Sequence, residues 1–209
     1  MKNEPYVIGL TGNIATGKSS VMKRLRQHGA LVIDADEVAH AVMEPGGEAY
    51  DAVVEEFGRG ILAPDGSIDR RKLGAIVFGD PTKLRKLEKL VHPAVRKRLK
   101  EAISHAGDRV VVVEAIKLLD YGLADEICDE VWVVTAPPRQ QALRLMRDRG
   151  LSEEEAWLRI DAQPPQEEKV RRADVVIRND GSIEELHEQV DEAWNAVVRR
   201  LQTGDRTGR

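Results

Sequence analysis

The octapeptide Gly12-Asn13-Ile14-Ala15-Thr16-Gly17-Lys18-Ser19 constrains this chain more than any other stretch. Glycine, four residues, glycine, lysine and then serine or threonine is a phosphate-binding pattern that works between a strand and a helix. Both neighbours are present: Tyr6-Val7-Ile8-Gly9-Leu10 is an apolar run, and Ser20 to Gln27 is helix-like. In that setting the chain must wrap an anion and enter a helix at once. Backbone N–H groups converge on the phosphate and the helix N-terminus adds partial positive charge. Gly12 and Gly17 supply positive φ or close backbone approach. Lys18 is expected to reach the β- and γ-phosphates of a nucleotide, and the Ser19 hydroxyl to ligate Mg²⁺. The bland alternative, a glycine-rich turn with a lysine on the first helical turn, fits that context less well.

At 209 residues the chain can bury one core and carry an insertion. The 32 basic and 36 acidic residues give a formal net charge of -4, which argues against a nucleic-acid binder with a broad basic face. No apolar run is long enough to span a bilayer, and Met1-Lys2-Asn3-Glu4-Pro5 lacks a signal-peptide core. A cytoplasmic protein with no membrane, nucleic-acid or obligate protein partner is therefore expected. Cys128, the single cysteine, reads as a small core residue ahead of a strand.

Taken in order, Ser19 to about His28 is helical, and Leu31-Val32-Ile33 is a second strand ending in Asp34-Ala35-Asp36. Two acids there stand at the carboxyl end of a strand, where open α/β sheets bind ligands, but either could instead cap the next helix. Four helical pieces follow: Glu37 to Phe57 with a break at Pro45-Gly46-Gly47, Arg70 to Val77, Pro81 to Val91, and His92-Pro93 through His105. That exceeds one crossover and implies a helical insertion that receives a substrate. Val110 to Val113 is a buried strand ending at Glu114, which either stands near the metal's water shell or caps a helix. Val131 to Thr135 is a fourth strand. Pro137-Pro138 opens a helix bearing Gln140, Gln141, Arg144, Arg147 and Arg149, and Ser152 with Glu155 forms a capping box for a helix through Gln163. Asp174 to Ile177 is the last strand. Ser182 with Glu185 caps a long amphipathic helix whose core face runs from Ile183 to Leu201.

The pattern predicts a three-layer α/β/α phosphate-loop fold with a five-stranded parallel sheet, a helical insertion and a helical lid. Its parts are a core of residues 5–36, 107–136 and 173–201, an acceptor-binding insertion at 37–106, a lid at 137–172, and a disordered tail at 202–209. There is no Asn-Lys-x-Asp guanine motif, and Glu114 stands alone where a mechanical ATPase shows a carboxylate pair. A phosphotransferase whose arginine helices close over ATP remains, with solvated arginines as the alternative reading of at least half of them.

Ile8 to Gly12, Lys18-Ser19, Gly29-Ala30, Ile33 to Asp36, Phe57-Gly58, Gly66 to Leu73, His92-Pro93, Gln141, Arg144, Gln163, Ala173-Asp174 and Ile177 to Gly181 occur together in this order. In these pieces the chain resembles the dephospho-CoA kinase family over nearly its whole length. The resemblance implies transfer of the ATP γ-phosphoryl group to the ribose 3′-hydroxyl of dephospho-CoA, the last step of coenzyme A synthesis. It makes Asp36 the general base, Lys18 and the loop Gly12 to Ser20 the phosphate cradle, Ser19 the Mg²⁺ ligand, Arg144 a lid arginine, and Asn179 a neighbour of the adenine. The insertion with His92 would take the acceptor. Other readings keep the fold but change the acceptor to a nucleoside monophosphate or sugar, or remove phosphotransfer and leave a nucleotide sensor.

Three departures stand out. Asn13, Ala15 and Thr16 occupy positions where the family commonly has Gly, Gly and Ser. The usual Pro-Leu-Leu after the third strand is Lys117-Leu118-Leu119; the resemblance puts Lys117 and Leu118 on the substrate side, and Lys117 is open to two readings, a ligand of a substrate phosphate or a solvated lysine. Asp148 stands where a second lid arginine is expected, and either neighbour, Arg147 or Arg149, can substitute, with Arg147 preferred because it lies one helical turn beyond Arg144.

Overall fold

The computed structural model describes residues 5–107 and 109–204. The chain divides into two compact units, one running to Ile33 and resuming at Ala106, the other Asp34–His105.

The first unit is built on β1 (Tyr6–Thr11), β2 (Leu31–Asp34), β3 (Val110–Glu114), β4 (Glu130–Thr135) and β5 (Val175–Arg178). The sheet order is β2-β3-β1-β4-β5, and β1 pairs in parallel with both β3 and β4, as β4 does with β5. β1 and β3 are buried along their whole length, which explains their runs of apolar and β-branched residues without alternation. The register sets Leu10 opposite Glu114 and Thr11 opposite Val133, so β1 and β3 end beside the loop that follows β1 and β4 runs on past it to Thr135.

On one face, Ile8, Leu10, Val110, Val112, Trp132 and Val134 point every second residue into a core with Val21 and Leu25 of α1 (Lys18–Gln27). A long C-terminal helix, Ile183–Thr203, closes that core with Leu186, Val190, Trp194 and Val197. Each such fully buried aliphatic side chain contributes about 1.5–3 kcal/mol, so the sheet needs no disulfide. At the opposite end of the strands, Asp129 Oδ2 accepts the Val7 N–H at 2.6 Å and Asp174 Oδ2 accepts the Val131 N–H at 2.7 Å. Those carboxylates satisfy backbone donors where the strands begin.

The second unit holds α2 (Ala35–Ala41), α3 (Tyr50–Phe57), α4 (Arg70–Val77) and α5 (Pro81–Ser104). Asp34, Asp69 and Asp80 cap α2, α4 and α5, each side chain accepting two backbone N–H groups of the first turn. His92-Pro93 does not begin a helix as expected: α5 is one continuous helix of 24 residues with Pro93 inside it. Proline removes one backbone donor there, and buried Val91, Ala94, Val95 and Leu99 hold both halves on one apolar face.

After β3, the helix α6 (Leu123–Ile127) precedes β4. Between β4 and β5 lie α7 (Pro138–Arg149), α8 (Glu153–Asp161) and α9 (Gln166–Val170), and the final helix is α10 (Ile183–Thr203). The capping boxes at Ser152 and Ser182 form with both reciprocal bonds. Two expectations for α10 change. Ile183, at its first position, is exposed rather than in the core. The helix also runs through Gln202 and Thr203 to a left-handed Gly204 cap, whereas a tail from 202 was expected; residues 205–209 of that tail lie outside the described residues. Among the described residues, no helix is long and apolar enough to cross a membrane.

Candidate active site

The loop from Gly12 to Gly17 is held by its own atoms. Thr16 Oγ1 donates to Asn13 O at 3.0 Å, and Lys18 Nζ donates to Gly12 O at 3.0 Å and Asn13 O at 3.3 Å. Gly17 caps α1 with φ 102° and no side-chain bond, leaving the helix N-terminus to an anion. A Cβ on Gly17 would strike Asn179 Nδ2, and one on Gly12 would strike the Val134 carbonyl. Ala15 is the one described non-glycine residue with positive φ, 55°. Its methyl packs with Ile14 against Ala142, Leu145 and Ala156 of the α7–α8 hairpin, which supplies a reason for a side chain at a position commonly glycine.

Across the loop, Glu114 at the end of β3 stands 3.6 Å from Lys18 Nζ, the carboxylate buried and the lysine partly so. No helix begins at Glu114, so the capping reading of that residue is set aside. Arg144 on α7 spans the loop and β5: Nη1 donates to Ala15 O and Thr16 O, each at 3.2 Å, and Nη2 to Asn179 O at 3.1 Å. Burial, then the neighbouring Arg147, lowers its guanidinium from the ordinary arginine value. A bound anion would relieve both effects. Asn179 is 7% exposed, and its Nδ2 donates to Thr16 O at 2.8 Å.

These groups border a cleft of about 660 Å³ whose walls include Lys18, Ser19, Glu114, Arg144, Arg147 and Asn179. Ala15, Gly17 and Ser20 also line it. Asn13 and Thr16 are buried, with their side chains bracing the loop. Arg147 reaches the cleft wall, yet its Nε and Nη2 grip Asp148 at 2.6 and 3.1 Å.

Ile14 departs from its expected part. Its N–H donates to Gln163 Oε1 at 2.7 Å rather than pointing at an anion, and Asn13 Nδ2 donates to Pro164 O at 2.9 Å. The turn between α8 and α9 thus holds the loop from outside. Gln166 holds that segment in turn, accepting the Ala136 N–H at 3.1 Å and donating to Ala136 O at 3.0 Å. These glutamines carry no spacing signal, and only the family pattern pointed at Gln163.

The remaining predicted residues divide. Asp34 accepts the N–H groups of Asp36 and Glu37 and is the cap, whereas Asp36 is an exposed carboxylate on the first turn of α2. His92 is half-buried on α5. Lys117 is exposed. Leu118, expected at the substrate, is fully buried, and a Cβ on Gly9 would collide with it. It is core under β1, because apolar side chains after a buried strand turn inward when the backbone doubles back.

A three-layer sheet with a phosphate loop after its first strand, a lysine inside that loop, and an arginine helix bonded across it defines a phosphate-loop kinase. A family model described as "Dephospho-CoA kinase" matches residues 6–185. A dephospho-CoA kinase of Thermobifida fusca is 46% identical over 195 residues, covering 93% of this chain and 97% of that protein. The solved TT1252 of Thermus thermophilus superposes with a TM-score of 0.79 at 37% identity, covering 95% of this chain and 99% of the other. The dephospho-CoA kinase from Campylobacter jejuni gives 0.62 at 26% identity, covering 93% and 98%. The chain belongs to the dephospho-CoA kinase family.

Proposed function

We propose that the protein transfers the γ-phosphoryl group of ATP to the ribose 3′-hydroxyl of dephospho-CoA, giving coenzyme A. The observation that supports this best is the Lys18–Glu114 pair at 3.6 Å in the 660 Å³ cleft of a chain from this family. Lys18 exchanges the carbonyls of Gly12 and Asn13 for phosphate oxygens, and the amides at the start of α1 hold the same group. Arg144, fixed at the loop carbonyls, adds charge where negative charge spreads over the transferring oxygens. Asn179 lines the wall assigned to the adenine. Asp36 accepts the 3′-hydroxyl proton late in the transfer. The helical unit with His92 receives the acceptor, and the segment 137–172 serves as the lid that excludes water, the competing nucleophile.

Mg²⁺ fits the residues present. Ser19 and Glu114 offer oxygen donors, and no cluster of three or more His, Cys, Asp or Glu exists among the described residues. A cation bound mainly through phosphate and water, with Ser19 as its protein ligand, suits that poverty of ligands. When bound it would neutralise charge on the β- and γ-phosphates. We assign the reaction to the cytoplasm, without nucleic acid, membrane or obligate protein partner.

The test is the mass of the product from ATP and dephospho-CoA. A gain of one phosphoryl group on dephospho-CoA, and none on AMP, CMP or gluconate, is expected. Turnover of dephospho-CoA no faster than background ATP hydrolysis would overturn the reading.

A further inference from the structure

A second cavity, of about 310 Å³, adjoins the first, and Ile116 is the one residue that borders both. Its walls carry three cations, Lys117, Lys169 and Arg172, against two acids, Asp120 and Glu168. Gln163 and Pro164 form part of the same wall, so the cavity is bonded to the phosphate loop through Ile14 and Asn13. Arg172 is occupied, donating to Leu119 O at 2.6 Å and to Asp125 Oδ2 at 3.3 Å. Lys169 differs. Its Nζ donates to Ile116 O at 2.9 Å, and among the described residues no carboxylate lies within ion-pair distance of it.

Burial, then the charge of Lys18, pushes the Lys169 ammonium down to about 8, while Asp120 and Glu114 pull it back up. Lys169 thus brings a half-buried ammonium, with no carboxylate at ion-pair distance among the described residues, to the wall of a cavity beside the phosphate loop, where Lys18 repels it. An anion there would restore the ammonium's full charge and gain charge-assisted hydrogen bonds.

We propose that this cavity is the subsite for a diphosphate group, the one carried by the acceptor, with Lys169 as its central contact and Lys117 at its rim; the assignment rests on dephospho-CoA being the acceptor. Lys18, Ser19 and Arg144, the groups assigned to the donor's phosphates, line the adjoining cleft and not this cavity, which argues against the donor's own phosphates here. Attachment of the wall to the phosphate loop fixes the acceptor's diphosphate relative to the donor, a positioning effect that favours transfer. This assignment also decides between the two readings of Lys117 in favour of a phosphate ligand.

The experiment compares wild type, Lys169→Met and Lys169→Arg by product mass, measuring KM for dephospho-CoA and for ATP separately. Lys169→Met is expected to raise KM for dephospho-CoA about 10- to 100-fold while KM for ATP stays within about twofold. Because the free ammonium titrates near 8, the wild-type acceptor KM should be lowest below pH 8 and rise above it. Lys169→Arg should keep its acceptor KM flat to pH 9. The groups facing the ammonium, Lys18, Glu114, Asp120, Lys117, Glu168 and Arg172, are common to all three proteins. Inorganic pyrophosphate should compete with dephospho-CoA in wild type and lose that effect in Lys169→Met.

Pyrophosphate inhibition that is not competitive with the acceptor would assign the cavity to a free anion and overturn the proposal. So would a rise confined to the ATP KM, or equal losses in every parameter with a lowered melting temperature. If Lys169→Met does not fold, a pH profile shared by wild type and Lys169→Arg overturns it instead. Failure of wild type to phosphorylate dephospho-CoA would strike the acceptor assignment, a separate outcome.

Discussion

Gln163 Oε1 accepts the Ile14 N–H at 2.7 Å, joining the turn after α8 to the middle of the phosphate loop, 149 residues earlier in the chain. Removing the acceptor leaves a part-buried N–H without its partner, a cost of about 1–3 kcal/mol. The loop would adjust to satisfy that donor and lose its fit to phosphate. Gln163→Ala should therefore raise KM for ATP about 5- to 30-fold with a smaller change in kcat. Steady-state kinetics decide this, and an unaltered ATP KM would mean that the loop keeps its shape unaided.

Gly17 and Gly150 both have positive φ, 102° and 65°, but their surroundings differ. A Cβ at Gly150 meets nothing within 4 Å, whereas at Gly17 it strikes the Asn179 amide that bonds Thr16 O. Gly150→Ala should cost about 1 kcal/mol from backbone conformation alone. Gly17→Ala should cost at least about 2 kcal/mol, because it also breaks a buried hydrogen bond, and should weaken ATP binding. Equal denaturant midpoints for the two variants would contradict the steric account.

Much of the fold was legible because local signals agreed. The loop pattern between an apolar run and a helix, the β-branched stretches, and the capping boxes at Ser152 and Ser182 each carry their structural cause within a few residues. The errors arose where tertiary packing decides. Pro93 reads as a boundary, but buried Val91, Val95 and Leu99 outweigh one missing hydrogen bond. Leu118 reads as a substrate contact, but it fills space beside Gly9 and Cys128. Gln163 and Lys169 have no local pattern at all, since their partners Ile14 and Ile116 lie far away in sequence.

Asp191 ties α10 to α1. Arg24 donates to it at 2.7 and 2.5 Å and His28 Nε2 lies at 2.6 Å, with the His28 ring stacked on Trp194. The Arg24 hydrogen bonds, followed by that of His28, hold the Asp191 carboxyl well below the usual carboxylate range. A depressed folded-state pKa stabilises the protein above the unfolded value, near about 3.9, and that stability is lost as pH falls below it. Asp191→Asn should lower stability by about 1–2 kcal/mol at pH 7. Melting curves should show the gap to wild type closing from about pH 4 downward; a gap of constant size would mean that the carboxylate's charge is irrelevant.

Asp34 and Asp36 are two residues apart but do different work, so paired substitutions separate them. Asp34 caps α2 through Oδ1, a part that asparagine also performs, and Asp34→Asn should retain near-normal turnover. Asp36 contributes only its backbone N–H to that cap, so Asp36→Asn leaves the helix start intact. As the proposed base it should nevertheless cut kcat by about two to four orders of magnitude with ATP affinity unchanged. Lys18→Ala should show the complementary result, weakened triphosphate binding by isothermal titration, because Lys18 lines the cleft with Ser19 and Arg144. If Asp36→Asn turned over dephospho-CoA at the wild-type rate, proton acceptance would have to pass to another group, and Glu114 would be the first candidate because it borders the same cleft.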